Sequence, residues 1–521
     1  MLTMLTPAST RQSNRDLIFL AAILAAGIVS FELWMATTNH CNSRDQHLGG
    51  AVAYAKGHID LLRPMLLGFT VNGTPTPLEF PIWQALTAVL MKCFGLWCGW
   101  GNAVSLLFFF SSLWPLFDLC RRVNSSRVGW WALLFTLAQP LSWVIGGQAG
   151  GDSTAWAFAV WFIYAAYRTM NEGKWSWWFF SICAGGLSAM TKAPFFMAAG
   201  LAAFFWLLLH HRRSGRAWFF LVSAGIVSTL LFLAWNFHCH RVYAEAEFST
   251  MNLDPLDKSS SVNQWYFGSL AYRLNLHNWL RGGWHLGSYV LNGFAFVLLI
   301  LIATRVRKSI EAWLWLLSAV CCTLVFPELI WEHTHYFFIF APATAWLCAL
   351  AAAEMEQAIR EHLPISTPVR TAILLVTFAF SLAAAFMIVH VNIFFDPYPA
   401  EIAQLIREHT APAEKIVVWG PAWGDPFLKA DRQGFTGGLS LDANDWMNDP
   451  LKRKRLKELG YTKIVLINPS PFVVALSAVT GKHGDKLVNL HEHLPAVAKN
   501  WPVVFDSPQL LIAQIVDSST Q

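Results

Sequence analysis

Charge is the scarcest thing in this sequence. Asp, Glu, Lys and Arg make up only 13% of its 521 residues, about half of the ~25% usual in a soluble globular chain. A large soluble core cannot explain the deficit, because a folded surface needs polar cover in proportion to its area. Cysteine offers no scaffold either. The nine cysteines mostly fall in apolar runs, none occurs after Cys348, and none forms a CxxC pair, so neither a zinc site nor a disulfide framework is indicated. The net charge of +5 is spread over short loops, which provides no basic patch for nucleic acid. A cleavable leader is not expected: Arg11 and Arg15 precede an apolar run without a small-residue cleavage site, and that run reads as a first anchor. Internal repeats and low-complexity linkers are also lacking.

Apolar and aromatic residues fill the space. The chain is 55% hydrophobic, with 27 Trp and 39 Phe, and Trp favours the two bilayer interfaces. A span takes about 20 apolar residues, and runs of that kind lie at 16–36, 100–120, 128–146, 153–170, 175–191, 194–209, 216–236, 285–304, 311–328, 336–353 and 369–391, which makes about eleven transmembrane helices. The stretch 81–97 decides their direction. If it does not span and the N-terminus is cytoplasmic, then Arg121, Arg122, Arg127, Lys174, Arg212, Arg213, Arg216, Arg305, Arg307, Lys308, Arg360 and Arg370 all fall on the cytoplasmic side, as the positive-inside rule requires. Residues 81–97 are therefore expected to form a helix lying on the outer interface.

The fold expected is a polytopic α-helical membrane protein with juxtamembrane helices on its outer face. Residues 1–394 would form the membrane region, with 37–99 as the first outer loop, and 395–521 a small extracytoplasmic α/β domain. Strand-like runs at 415–419, 463–467 and 510–516 alternate there with helix-like segments at 399–409 and 450–459, the pattern of an α/β unit.

Candidate chemistry gathers on the outer side. Asp45 follows the first span by about one turn, between Arg44 and His47. A carboxylate so placed stays ionised and can act as a general base, or it can simply cap the helix that follows. Asp152, after Gly150 and Gly151, is open to the same two readings. Lys192 sits at an outer span end, where it either binds substrate or snorkels to headgroups, and Arg63 is either a phosphate partner or a headgroup contact. Glu328, Glu332, His333 and His335 lie close together; their irregular spacing favours substrate or phosphate contact over a metal site. Glu32, inside the first span, is expected to face the protein interior.

The order of these features resembles the GT-C class of membrane glycosyltransferases, and within it the protein O-mannosyltransferases and lipid A aminoarabinose transferases. The matching segments are Asp45 to Gly57, Glu79-Phe80-Pro81 through Phe94-Gly95, Gly151-Asp152, Thr191-Lys192-Ala193-Pro194, and His335-Tyr336 with Pro342. In the tail, Trp423-x-x-Pro426 and Arg432-x-Gly434 resemble bacterial members. The resemblance implies a GT-C fold and an enzyme of the bacterial inner membrane, with the N-terminus cytoplasmic and the C-terminal domain periplasmic. Such an enzyme takes a sugar from a polyprenyl-phosphate donor and transfers it, with inversion, to a glycan, lipid or protein acceptor. Asp45 matches the catalytic carboxylate. Arg44, His47, Arg63, Glu79, Asp152, Lys192, His333, His335 and Tyr336 are the candidate substrate contacts. No cofactor is implied, and a lipid-phosphate leaving group does not by itself demand a metal. Two departures stand out: Gln46 replaces a common second acid, and Phe80 replaces a lysine before Pro81. A lipid or sugar transporter and a non-catalytic factor of surface-glycan assembly are the alternatives. The lack of internal repeats speaks against a transporter, and the surroundings of Asp45 against a non-catalytic factor.

Overall fold

The computed structural model describes residues 45–64, 75, 77–97, 99–245, 254–258, 266–306, 310–362, 383–385, 387, 398–419, 430–438, 449–468 and 501–516. The expected span at 16–36 and most of that at 369–391, with Glu32, Arg44 and the Trp423-x-x-Pro426 motif, lie outside them.

Among the described residues, four helices are long and apolar enough to cross a membrane: Gly99–Val123 (α3), Trp175–His210 (α7), Gly215–Ala244 (α8) and Thr334–Ile359. The protein is thus a membrane protein. A further pair, Ser126–Leu137 (α4) and Pro140–Gly147 (α5), is bent by 73°. Pro140 opens α5, and proline can begin a helix but cannot continue one through its missing N–H. Before α3 come Asp45–Lys56 (α1) and Ile82–Phe94 (α2), and Asp152–Glu172 (α6) follows α5.

The 36 residues of α7 are two helices, not one. Lys192 adopts φ −151°, ψ 100°, and Pro194 follows it. A straight helix would hold Trp175 and Phe204 about 43 Å apart. Yet Trp175 packs on Phe220 at 4.9 Å and Phe204 on Trp218 at 6.0 Å, so the chain reverses at Lys192 and both halves begin or end beside the start of α8. This is the antiparallel arrangement expected for spans at 175–191 and 194–209. The second half brings Ala198, Ala199, Ala202 and Ala203 into the core; small residues let backbones approach closely where packing, not the hydrophobic effect, holds helices together.

After α8 come Leu270–Leu274 (α9), Leu276–His285 (α10), Val297–Ala303 (α11), Ile310–Val325 (α12), Pro327–Glu332 (α13) and Ala341–His362 (α14), and the expected span at 285–304 is interrupted. Leu286–Val290 is a π-helix and Val297–Ala303 a short α-helix, with Asn292, Gly293 and Phe294 at positive φ between them. An Asn-Gly pair readily takes that conformation.

α2 has a two-sided exposure pattern. Trp83, Thr87, Ala88 and Met91 face inward, while Leu86, Val89 and Phe94 are exposed. An exposed apolar face on a short helix suits the headgroup boundary.

From Tyr398 onward the described residues build a sheet flanked by helices. Tyr398–His409 (α15) precedes Lys415–Trp419 (β1) and Gln433–Gly438 (β2); Pro450–Glu458 (α16) precedes Tyr461–Ile467 (β3), and Val503–Asp506 (β4) and Leu510–Gln514 (β5) follow. The strand order is β2-β1-β3-β5-β4. β1 pairs in parallel with β2 and β3, and β5 runs antiparallel to β3 and β4. Leu456, Tyr461 and Trp501 pack one face, and Ile402, Ile406 and Ile512 the other.

Candidate functional site

Lys192 is the centre of a buried polar cluster. Its Nζ lies 2.5 Å from Glu79 Oε1 and 3.1 Å from Asp152 Oδ1, donates to the Tyr336 hydroxyl at 3.3 Å, and sits 5.0 Å from the Tyr336 ring centroid. Histidines flank the two carboxylates: His47 Nε2 is 3.7 Å from Glu79 Oε2, and His335 Nε2 is 3.8 Å from Asp152 Oδ1. Lys192 is only 3% exposed along its side chain, so its charge is sustained by the two acids and not by water.

The surrounding elements fix each member. Lys192 is delivered by the reversal in α7. Glu79 arrives just before α2, where the Phe80 N–H donates to Met190 O at 3.1 Å, Trp235 Nε1 donates to Leu78 O at 3.3 Å, and Phe80 meets Trp235 edge to face at 5.2 Å. Phe80, which replaces the lysine of the family pattern, therefore anchors the strand of chain that carries Glu79. Asp152 opens α6, and the turn before it is tied to α3: Asn102 Nδ2 donates to Gly147 O at 2.5 Å, and Gly150 N–H donates to Ser105 Oγ at 3.4 Å. Ser105 also receives Trp83 Nε1 at 2.9 Å, which joins α2 to the same frame. At Gly151 a Cβ would lie 3.0 Å from Glu79 Oε2; glycine there permits the carboxylate's close approach.

Gln84 Nε2 is 3.0 Å from His47 Nδ1. With the amide donating, Nδ1 accepts, and the ring proton stands on Nε2 toward Glu79. Tyr266 is a member that the sequence did not point to. Burial pushes its phenol up, and Tyr336, Lys192 and Glu79 are close enough to act on it.

Of the residues singled out in the sequence, His47, Glu79, Asp152, Lys192, His335 and Tyr336 are brought together. His333 stands beside them, its ring 5.6 Å from that of His335. Asp45 is the first residue of α1, two positions before His47. Arg63 is placed elsewhere: its Nη2 lies 2.7 Å from Glu245 Oε2, both side chains about half exposed. Glu332 is held by Arg281 and by the Tyr272 hydroxyl at 2.7 Å, and burial raises the neighbouring Glu328 carboxyl, with Glu332 adding to the shift. Among the described residues, no group of three or more His, Cys, Asp or Glu is disposed to hold a metal ion.

A groove of roughly 600 Å³ runs between the second half of α7 and α8, bordered by Ala193, Met197, Gly200, Leu221, Gly225 and Phe326 among others, and its lining is almost wholly apolar. From Ala193 to Phe204 it follows the helix for about 16 Å. Gly200 and Gly225 face open space. No sequence pattern marks this groove, because any membrane helix is apolar on its lipid face.

This architecture is similar in fold to that of the GT-C membrane glycosyltransferases. The family described as dolichyl-phosphate-mannose-protein mannosyltransferase matches residues 77–235, a stretch that contains Glu79, Asp152 and Lys192. The chain is similar in structure to ArnT from Cupriavidus metallidurans in the apo state, with a TM-score of 0.61 and 13% identity over 97% of this chain and 99% of that one. ArnT bound to undecaprenyl phosphate gives 0.62 and 14% over 96% and 98%. The Archaeoglobus fulgidus oligosaccharyltransferase gives 0.53 and 11% over 95% of this chain and 74% of that one. No curated protein matches by sequence.

Proposed function

We propose that the chain is a glycosyltransferase that moves a sugar from a polyprenyl-phosphate donor to an acceptor hydroxyl on the outer face of the membrane. One observation carries the reading: Lys192, the centre of the buried polar cluster, is followed in the chain by Ala193, which lines the apolar groove. An amphiphile with an anionic head and a long hydrocarbon chain fits that junction. The likeness to ArnT, one structure of which holds undecaprenyl phosphate, supports the same class of ligand. The helix break at Lys192 lies at the outer end of two spans and not at the bilayer midplane, where transporters place theirs.

The acceptor oxygen attacks the anomeric carbon as the bond from that carbon to the phosphate oxygen breaks, and configuration inverts. The acceptor proton passes to the Asp45 carboxylate. The leaving phosphate keeps the bonding pair and meets donors already fixed in place: the Lys192 ammonium, the Tyr336 hydroxyl and the His335 ring. Glu79 and Asp152 serve to hold Lys192 at that point, with Gln84 and His47 steadying Glu79. In this reading the membrane is the bacterial inner membrane, with residues 37–99 and the C-terminal sheet on its outer side.

The test is an assay of purified protein with radiolabelled polyprenyl-phosphate sugars and membrane extracts as acceptor. D45N is expected to lower transfer by about 10²–10⁴-fold with unchanged thermal unfolding. Undiminished transfer by D45A would remove Asp45 as the base. A topology map that places the C-terminal sheet in the cytoplasm would undo the assignment as a whole.

A further inference from the structure

The helix α10, Leu276–His285, turns its apolar side outward. Leu276, Trp279, Leu280 and Trp284 stand at i, i+3, i+4 and i+8, the spacing of one helix face, and all four are exposed. The buried residues of α10 are Asn278 and Gly282, on the opposite side. Asn278 Nδ2 donates to Tyr272 O at 3.0 Å. A Cβ on Gly282 would lie 2.8 Å from Cδ1 of Trp331, so α10 rests closely on α13. Arg281, on the flank, pairs with Glu332 of α13 and donates to the Tyr272 hydroxyl at 3.0 Å. Because Glu332 directly precedes His333, α10 also borders the candidate site. In α9, Leu270 and Leu274 are one turn apart and both exposed. A helix bathed in water buries its apolar side and shows its polar one; here that order is reversed.

The neighbouring elements fix the level of this face. Arg273 of α9 reaches the end of the apolar helix α12, where its Nη1 donates to Leu324 O at 3.2 Å and its Nη2 to Val325 O at 3.3 Å. α12 exposes Leu317, Val320 and Leu324, at i, i+3 and i+7, the stripe that a membrane helix shows to lipid. α9 sits where that stripe ends, at the boundary between hydrocarbon and headgroups. Indole rings favour this boundary, and Trp279 is fixed there by donating from Nε1 to Arg273 O at 2.7 Å. Arg273 and Arg281 are the only Lys, Arg, Asp or Glu of the two helices, and both turn onto protein partners. The exposed face is therefore apolar throughout and continues the lipid-facing surface of α12.

We propose that α9 and α10 lie in the headgroup–acyl boundary of the bilayer that holds the chain, with their exposed Leu and Trp side chains buried in lipid. The contact is independent of sugar transfer, and its test uses no donor or acceptor. Full-length protein carries the fluorescent residue dansylalanine in place of Leu280, of Trp284 or, as a reference, of Val504, which is exposed on the C-terminal sheet. Each protein is placed in phosphatidylcholine nanodiscs. Lipid with a doxyl group near the head of its chain is expected to quench the Leu280 and Trp284 sites several-fold more than the Val504 site. Lipid with the doxyl group at the chain end should quench them less, because an interface helix sinks only about 5–10 Å into the bilayer. Iodide at constant ionic strength is expected to do the reverse, quenching the Val504 site and sparing the other two. L276E/L280E is expected to cut lipid quenching at the Trp284 site several-fold while the protein stays monodisperse, since both leucines are exposed in the fold. Iodide quenching of the Leu280 and Trp284 sites equal to that of the Val504 site, or lipid quenching indifferent to L276E/L280E, overturns the proposal. Protection from iodide without quenching by lipid also overturns it and assigns the face to a second copy of the chain.

Discussion

Replacing Lys192 by Met gives the sharpest test of the cluster. The substitution keeps the side chain's length and apolar stem but removes the charge between Glu79 and Asp152, whose side chains are only 12% and 5% exposed. Removing one partner from a buried ion pair costs about 3–5 kcal/mol, because the remaining charge is left without compensation. Here two carboxylates lose the ammonium between them while His47 and His335 stay beside them, so K192M should fall within that range. Thermal unfolding in detergent micelles, followed by Trp fluorescence and by the fraction surviving size exclusion, measures the loss. The triple variant K192M/E79Q/D152N removes the stranded charges as well and should recover most of the stability, since a buried ion network replaced as a whole is often close to neutral. Its transfer activity should stay lost. K192M unfolding at the wild-type temperature would refute the buried triad. Failure of the triple variant to recover would show that the destabilisation comes from the helix reversal and not from charge.

Filling the groove separates the lipid tail from the head. G225L places an isobutyl group in open space inside the groove, so it should leave unfolding unchanged, raise the KM for a long polyprenyl donor about tenfold, and spare a donor with a short chain; equal effects on both donors would dissociate the groove from the donor. In the C-terminal sheet, burial pushes the Glu414 carboxyl up, but the Ala411 N–H and the Lys463 ammonium outweigh it and hold the group below its ordinary value. A lowered folded-state value means that Glu414 adds stability above the ordinary carboxylate range and that this contribution vanishes as pH falls through the folded-state value. E414Q should therefore cost about 1–2 kcal/mol at neutral pH and flatten the acid limb of the stability curve, which unfolding monitored between neutral pH and acid will show.

How much of this was legible in the sequence depends on how far a residue acts alone. Lipid imposes long apolar runs one helix at a time, so the spans at 100–120 and 216–236 can be read directly, and β1 and β3 show themselves as Ile-Val runs. The reversal at Lys192 also has a local cause in Thr191-Lys192-Ala193-Pro194. The break at 291–296 has one too, in Asn292-Gly293, but the surrounding apolar residues hide it. The meeting of Glu79 with Lys192, 113 positions apart, could be anticipated only from topology, as two groups on the same outer side. Topology does not fix distance, and Arg63 shows the difference: it shares that side yet pairs with Glu245. Tyr266 and the groove left no sequence signal, because an isolated tyrosine in a loop and an apolar helix face are both commonplace in membrane proteins.

The Glu79–Lys192 contact joins two parts of the protein that obey different masters. Glu79 rides with α2, whose exposed Leu86, Val89 and Phe94 suit the headgroup plane, whereas Asp152 and Lys192 belong to α6 and α7. A thicker or thinner membrane shifts the plane relative to the spans and is resisted at a cost of a fraction of a kcal/mol per Å. That cost is exerted across a 2.5 Å ion pair at the heart of the cluster. In the proposed reading, bilayer thickness thereby becomes a setting of the candidate site, one that lipid composition alone can adjust.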